Sequence, residues 1–176
     1  SLFCYRPAKA GGLSKFVSSI AIYNQMLEEA PELVEILCQP LHSSMSMEGV
    51  VCHSFQEYER ISPFTLPIFN RNGQGHPVNR YAAGYITSAL NRGLVPPITS
   101  EQEKALMKLN ETANRPDLAY GVHLQAGDME FFNNNFVFHS RSEFHDGEAV
   151  DNQRCIIRIW LNSPEIETIP PLFGYE

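Results

Sequence analysis

His139, Arg154 and Arg158 are the residues of this 176-residue chain whose types and spacing suggest chemistry. An imidazole on a strand is a metal ligand or an acid–base group near neutral pH, and a guanidinium offers a fixed, permanently charged fork for a carboxylate. They lie in two runs, Gly127-Asp128-Met129-Glu130-Phe131-Phe132-Asn133-Asn134-Asn135-Phe136-Val137-Phe138-His139-Ser140-Arg141 and Arg154-Cys155-Ile156-Ile157-Arg158-Ile159-Trp160-Leu161. Both read as strands. With Asp146-Gly147 as the tip of the connecting turn, a hairpin register puts His139 directly opposite Arg154. Period two then gathers Arg154, Ile156, Arg158 and Trp160 on one face, with Cys155, Ile157, Ile159 and Leu161 on the other. The uninterrupted apolar side belongs against a helix layer or a second sheet, whereas the mixed side reads as the wall of a cavity lined for an anion. Taken singly, His139 reads as a hydrogen-bonded structural residue, the arginines as solvent-facing or paired with Glu130 or Asp151, and Asn133 to Asn135 as a turn. Periodicity alone thus leaves a β-rich corner suited to an anion.

The elements that must position these residues read as an α+β domain built on a sheet sandwich, with strands at both ends and helices between them. Leu2 to Tyr5 is strand-like and is broken by Gly11-Gly12. The spacing of Phe16, Ile20, Tyr23 and Leu27 predicts a helix within the stretch from Ser14 to Ala30. Pro31 suits the first turn of a second helix, Glu32 to Cys38, which Pro40 stops. From Leu41 to Ser62 no period stands out, so that stretch is expected to be loop with one strand around Val50 to Phe55. Phe64 to Asn70 and Val78 to Ile86 flank a Gly-rich connection and read as a hairpin or lid loop. Thr99 or Ser100 is an N-cap before the acidic turn Glu101-Gln102-Glu103, with Ala105, Leu106 and Leu109 beneath, and that helix ends near Pro116.

Composition bounds the function classes. The formal charge is −7, hydrophobic residues make up 43% and charged residues 19%, a balance that supports a core and lacks the signature of disorder. No Lys/Arg cluster is present, which argues against nucleic acid, whose affinity needs a basic face. No apolar run approaches the roughly 18 residues of a membrane helix, so no membrane partner and a cytoplasmic location are expected. Cys4, Cys38, Cys52 and Cys155 form no Cys-x-x-Cys pair and read as reduced thiols. A small molecule, with anions among the candidates, is the expected partner.

Three motifs in order carry a family resemblance. Gly127 to Arg141 with its Val-Phe-His-Ser-Arg ending, the later Arg-x-x-x-Arg-x-Trp-Leu, and Ala10-Gly11-Gly12-Leu13-Ser14 followed by Pro31-Glu32-Leu33 together resemble the C-terminal portion of the taurine dioxygenase (TauD/TfdA) family of Fe(II)/2-oxoglutarate-dependent dioxygenases. The similarity runs from about Leu2 to about Leu161. It implies a double-stranded β-helix (jelly-roll) core with flanking helices, one domain over residues 1–176 with a lid or insertion at 41–92, and Fe(II) as cofactor with 2-oxoglutarate and O₂ as co-substrates. It further implies that His139 is a metal ligand, that Arg154 and Ser14 bind the far carboxylate of 2-oxoglutarate, and that Arg158 holds an anionic group of the primary substrate. The implied reaction hydroxylates an aliphatic C–H of a small molecule and releases succinate and CO₂. One departure is plain: the family's His-x-Asp/Glu lies upstream of the diglycine, and no His of this chain has Asp or Glu two positions later. The expectation is a domain entered partway and apparently incomplete at its N-terminus, with this chain alone inactive; the alternative is a non-catalytic jelly-roll binding module that has lost its iron site.

Overall fold

Leu2 to Arg6 alternate in burial, so the chain begins as a strand, β1 (Leu2–Arg6), with Cys4 fully buried and Tyr5 60% exposed on the opposite side. Gly11 and Gly12 then adopt φ of +74° and +71°, the left-handed region that side chains resist. They turn the chain from β2 (Ala10–Gly11) into β3 (Ser14–Ser18). The computed structural model describes residues 1–44, 64–72, 75–93 and 95–161. The strand expected around Val50 to Phe55 lies outside the described residues.

The helix foreseen from Ser14 starts later than its periodicity suggests. Ser14 to Ser18 pair with strands on both sides, and α1 (Ser19–Glu29) opens only where the Ser18 side chain accepts a hydrogen bond from the Ala21 N–H at 3.3 Å. Its buried apolar residues are Ile22 and Met26, and Leu27 is 46% exposed, which corrects the expected face. Pro31 does open α2 (Pro31–Leu37), where its missing N–H costs nothing. β4 (Leu41–Ser43) pairs with β5 (Phe64–Leu66), and β6 (Phe69–Arg71) with β7 (Pro77–Asn79), the hairpin read from the sequence but shorter. Past Asn79 the expected strand gives way to α3 (Ala83–Asn91). α4 (Ser100–Ala113) carries the foreseen cap as a full capping box between Thr99 and Gln102, satisfying two otherwise orphaned N–H groups.

Helices α1, α2 and α4 pack around Ile22, Met26, Val34, Leu37, Ala105 and Leu109, and Val17 of β3 joins the same cluster. At the rim, Glu29 takes ion pairs from Lys108 at 2.7 Å and Arg115 at 2.9 Å. No helix among the described residues is long and apolar enough to cross a membrane.

The remaining strands are β8 (Tyr120–Val122), β9 (Met129–Glu130), β10 (Val137–Arg141), β11 (Phe144–His145) and β12 (Cys155–Arg158). They build two three-stranded antiparallel sheets, β12-β1-β9 and β10-β3-β8, and a small β11-β2 ribbon between them in the chain. No closed barrel forms among the described residues. The run from Met129 to Arg141 is two strands in different sheets, because the Asn133 side chain accepts the Asn135 N–H at 2.9 Å and turns the chain between them.

The expected hairpin between the histidine and arginine strands is corrected. β10 pairs with β3, so His139 faces Phe16, and β12 pairs with β1, where Ile156 faces Cys4 and Arg158 faces Leu2. Asp146-Gly147 is no two-residue turn: the Arg154 N–H donates to Asp146 Oδ1 at 2.8 Å and the Gly147 N–H to the Asn152 carbonyl at 3.3 Å. These bonds close a longer loop that carries the chain from one sheet to the other. A second correction concerns the outer side of β12. Ile157, Ile159 and Leu161 are 44%, 50% and 65% exposed, so no helix layer among the described residues covers that apolar face.

Candidate functional site

One sheet has a face committed to the helical core and a face free to line a site, whereas the other has an inner face marked by a buried cysteine and an outer face left exposed. In β10-β3-β8, Val17 and Phe138 are partners across the ladder and pack on the helical core. Period two therefore sends Ser14, Phe16, His139 and Arg141 to the other side. In β12-β1-β9 the buried Cys4 marks the inner face, which Leu2, Glu130, Ile156 and Arg158 share by register.

His139 stands at the middle of its strand, its ring 4.7 Å from the Phe132 ring, which in turn lies 5.5 Å from Phe16. Partial desolvation against these rings pulls the imidazole pKa down, and the positive charges of Arg158 and the amino terminus act in the same direction. The neutral form, whose ring nitrogen has a lone pair to give a cation, is thereby favoured. So the arginine that bears on His139 is Arg158, not Arg154.

Arg154 sits at the diglycine turn. A Cβ placed on Gly12 would be 3.7 Å from Arg154 Nε and 3.5 Å from Phe144 Cβ, so the glycine gives the guanidinium and the ring a close approach to the backbone. The Gly12 N–H donates to the Glu143 carbonyl at 2.9 Å and anchors the turn to the ribbon. Arg154, Gly11, Gly12, Cys4, Leu124 and Ile156 are among the residues lining a cavity of about 220 Å³. Desolvation lowers the pKa of Arg154, and Arg141 adds to it as a like charge. Ser14 is buried and lies directly opposite Arg141. The backbone beside that pair is clamped twice, Ser142 N–H donating to the Leu13 carbonyl and Leu13 N–H to Ser142 Oγ, each at 2.9 Å.

The sequence-predicted residues therefore fall into two groups: His139 with Arg158, and Ser14 and Arg154 at either side of the diglycine. Three residues escaped the sequence reading. Arg141 and Phe144 join the second group, and Arg141 was available from period two on the His139 strand. Glu130, considered there only as an ion-pair partner, points to the inner face with both carboxylate oxygens buried and unpartnered. Desolvation, then Asp128, pushes its pKa up.

As a test of metal fit, the donor set is short. His139 is one imidazole, and no group of three or more His, Cys, Asp or Glu side chains gathers among the described residues. These residues do not make an iron site by themselves. A carboxylate fits better: Arg154 has no ion pair among the described residues, and it lines the cavity of about 220 Å³ beside the diglycine.

The family model described as taurine catabolism dioxygenase TauD, TfdA family matches residues 1–160. The taurine hydroxylase-like protein SAT17 of Stachybotrys chartarum is 28% identical over 176 residues, covering 97% of this chain and 42% of the relative. FR-33289 synthase of Streptomyces rubellomurinus is 28% identical over 169 residues, covering 92% and 46%. Among solved structures, asparagine oxygenase in complex with Fe(II), 2S,3S-3-hydroxyasparagine and succinate superimposes with a TM-score of 0.59 at 16% identity, over 88% of this chain and 42% of that one. This chain spans about half the length of the curated relatives it matches.

Proposed function

Because the chain belongs to the taurine catabolism dioxygenase TauD, TfdA family, we propose that it supplies the co-substrate and distal-ligand half of an Fe(II)/2-oxoglutarate-dependent dioxygenase acting on a small molecule. In this reading the two three-stranded sheets are part of a double-stranded β-helix. Iron and 2-oxoglutarate, when bound, supply the oxidising chemistry, with succinate and CO₂ as by-products of hydroxylation. Everything else falls to the protein.

Arg154 binds the far carboxylate of 2-oxoglutarate, with the Ser14 hydroxyl as a further donor. Both are partly or wholly withdrawn from water, where a charge-assisted bond is worth more than at a wet surface. His139 offers a neutral imidazole as one donor to the metal, and Phe132 and Phe16 fix its ring by packing. Arg158, on the inner face and close enough to depress His139, holds an anionic group of the primary substrate near the reacting centre. The metal's other donors do not come from the described residues.

The observation that carries this reading is the Arg154 guanidinium, desolvated at the diglycine cradle and without a carboxylate partner among the described residues. Asp146 and Glu130 offset part of that desolvation without forming an ion pair, and an anion in the cavity would offset more of it. The test is succinate release from 2-oxoglutarate by the full-length protein with Fe(II) across a panel of small acids, alongside Arg154→Ala. Removing a bidentate charge pair costs about 2–5 kcal/mol, so the variant should require at least tenfold more 2-oxoglutarate. Binding of 2-oxoglutarate with no succinate from any acid would indicate a binding module, and an unchanged requirement in Arg154→Ala would reject the assignment.

A further inference from the structure

Arg141 has no role in the expectations above; it is more exposed than Arg154, yet register and a ring contact fix where it stands. The β10-β3 register sets it directly across from buried Ser14. Its guanidinium carbon lies 4.1 Å from the centroid of the Phe144 ring, and that of Arg154 lies 5.4 Å from the same centroid. Two cations thus share one aromatic ring. Arg141 is the largest charge–charge influence on Arg154.

Like charges gathered over one ring make a place where an anion is favoured. The ring attracts each guanidinium through its face, but that attraction is modest where water still reaches the cation. Neither Arg141 nor Arg154 has an ion pair among the described residues. The structural cations of the helical layer behave differently: Lys108 and Arg115 both reach Glu29, and Arg115 also reaches Asp117 at 2.7 Å. The diglycine brings the β2 backbone hard against Glu143 and Phe144 at Gly11 and into contact with Arg154 at Gly12, and Arg154 and both glycines line the adjoining cavity. Arg158 stands apart from this pair, near His139.

We propose that Arg141 is a second guanidinium for the far carboxylate, closing on it together with Arg154 and Ser14, and that it sets the preference for a dicarboxylic over a monocarboxylic 2-oxo acid. This rests on reading the Arg154 site as the 2-oxoglutarate subsite. A carboxylate has two oxygens and about four acceptor positions, so it takes two guanidiniums and a hydroxyl without crowding. Planarity matters here, because a guanidinium can rest against an aromatic ring while directing paired N–H groups at carboxylate oxygens, which an ammonium cannot do.

The experiment is calorimetric titration of the full chain with 2-oxoglutarate and with 2-oxobutyrate, which keeps the keto-acid end and lacks the far carboxylate. Wild type, Arg141→Ala, Arg141→Lys and Arg154→Ala are compared, each with its thermal unfolding midpoint. Arg141→Ala should weaken 2-oxoglutarate at least tenfold and leave 2-oxobutyrate within twofold, with Arg141→Lys recovering only part of the loss. Unchanged 2-oxoglutarate binding in Arg141→Ala, with loss in Arg154→Ala, would overturn the role of Arg141 and leave the subsite standing. Equal loss for both acids would also overturn it, by showing a structural role. A wild type that binds the two acids equally would remove the subsite itself, and the inference with it.

Discussion

Gly11→Ala should unfold the site far more than its single added methyl suggests. Gly11 has φ +74°, and an added Cβ would lie 2.3 Å from the Glu143 carbonyl oxygen and 3.1 Å from Phe144 Cα. Both neighbours are backbone, so neither can rotate away. Gly127 is the control: its φ is +96° but nothing lies within 4 Å of its Cβ position. The left-handed conformation costs about 1–2 kcal/mol with a side chain, partly offset by the stiffer unfolded chain, which leaves about 1 kcal/mol for Gly127→Ala. At Gly11 the ribbon must also retreat by about 1 Å for van der Waals contact. That movement strains the Gly12 N–H to Glu143 bond, worth about 1 kcal/mol, and overpacks the turn at about 1–3 kcal/mol. The total for Gly11→Ala is about 3–5 kcal/mol, roughly fourfold the control. Urea unfolding of both variants measures it, and at partial denaturation the 2-oxoglutarate affinity should fall in step, because Arg154 and Phe144 pack against that turn. If Gly11→Ala and Gly127→Ala lose equal stability, the close approach of β2 to Glu143 is not what holds the turn.

Two further outcomes follow from burial and charge. Glu130 has a raised pKa, so the folded state keeps a proton that the unfolded chain releases between the ordinary carboxylate value and the raised one, and stability falls as pH rises through that window. Glu130→Gln should therefore be at least as stable as wild type at about pH 7, with the advantage shrinking toward about pH 4; a urea midpoint that drops at neutral pH would mean the carboxylate is paired. Leu109→Ala removes a fully buried side chain from the cluster that seats α1 and α4 and should cost about 2–5 kcal/mol, a figure that a loss under 1 kcal/mol in urea unfolding would refute.

What could be read from the sequence is what depends on near neighbours along the chain. The capping box at Thr99 and Gln102, the start of α2 at Pro31 and the hairpin around Phe69 and Val78 all rest on contacts a few residues apart. So does the face-sharing of Arg154, Ile156 and Arg158, since period two is a property of one strand; Arg154 and Ile156 do line one cavity, and Ile156 and Arg158 lie on the inner sheet face. Partner choice between strands is another matter. Alternation says which residues share a face and nothing of which strand lies alongside, and closing a loop of a dozen residues costs little more than closing a short one. Only the tertiary structure therefore put β3 beside β10, His139 opposite Phe16, and Arg158 rather than Arg154 within electrical reach of His139. The same contest decided the start of α1: Ser14 to Ser18 have a helical period in isolation, but the two strands that flank them satisfy their backbone first. Arg141 and Arg154 meet at Phe144 for this reason too, because the ribbon of β2 and β11 ties together the chain segments that lead into the two sheets.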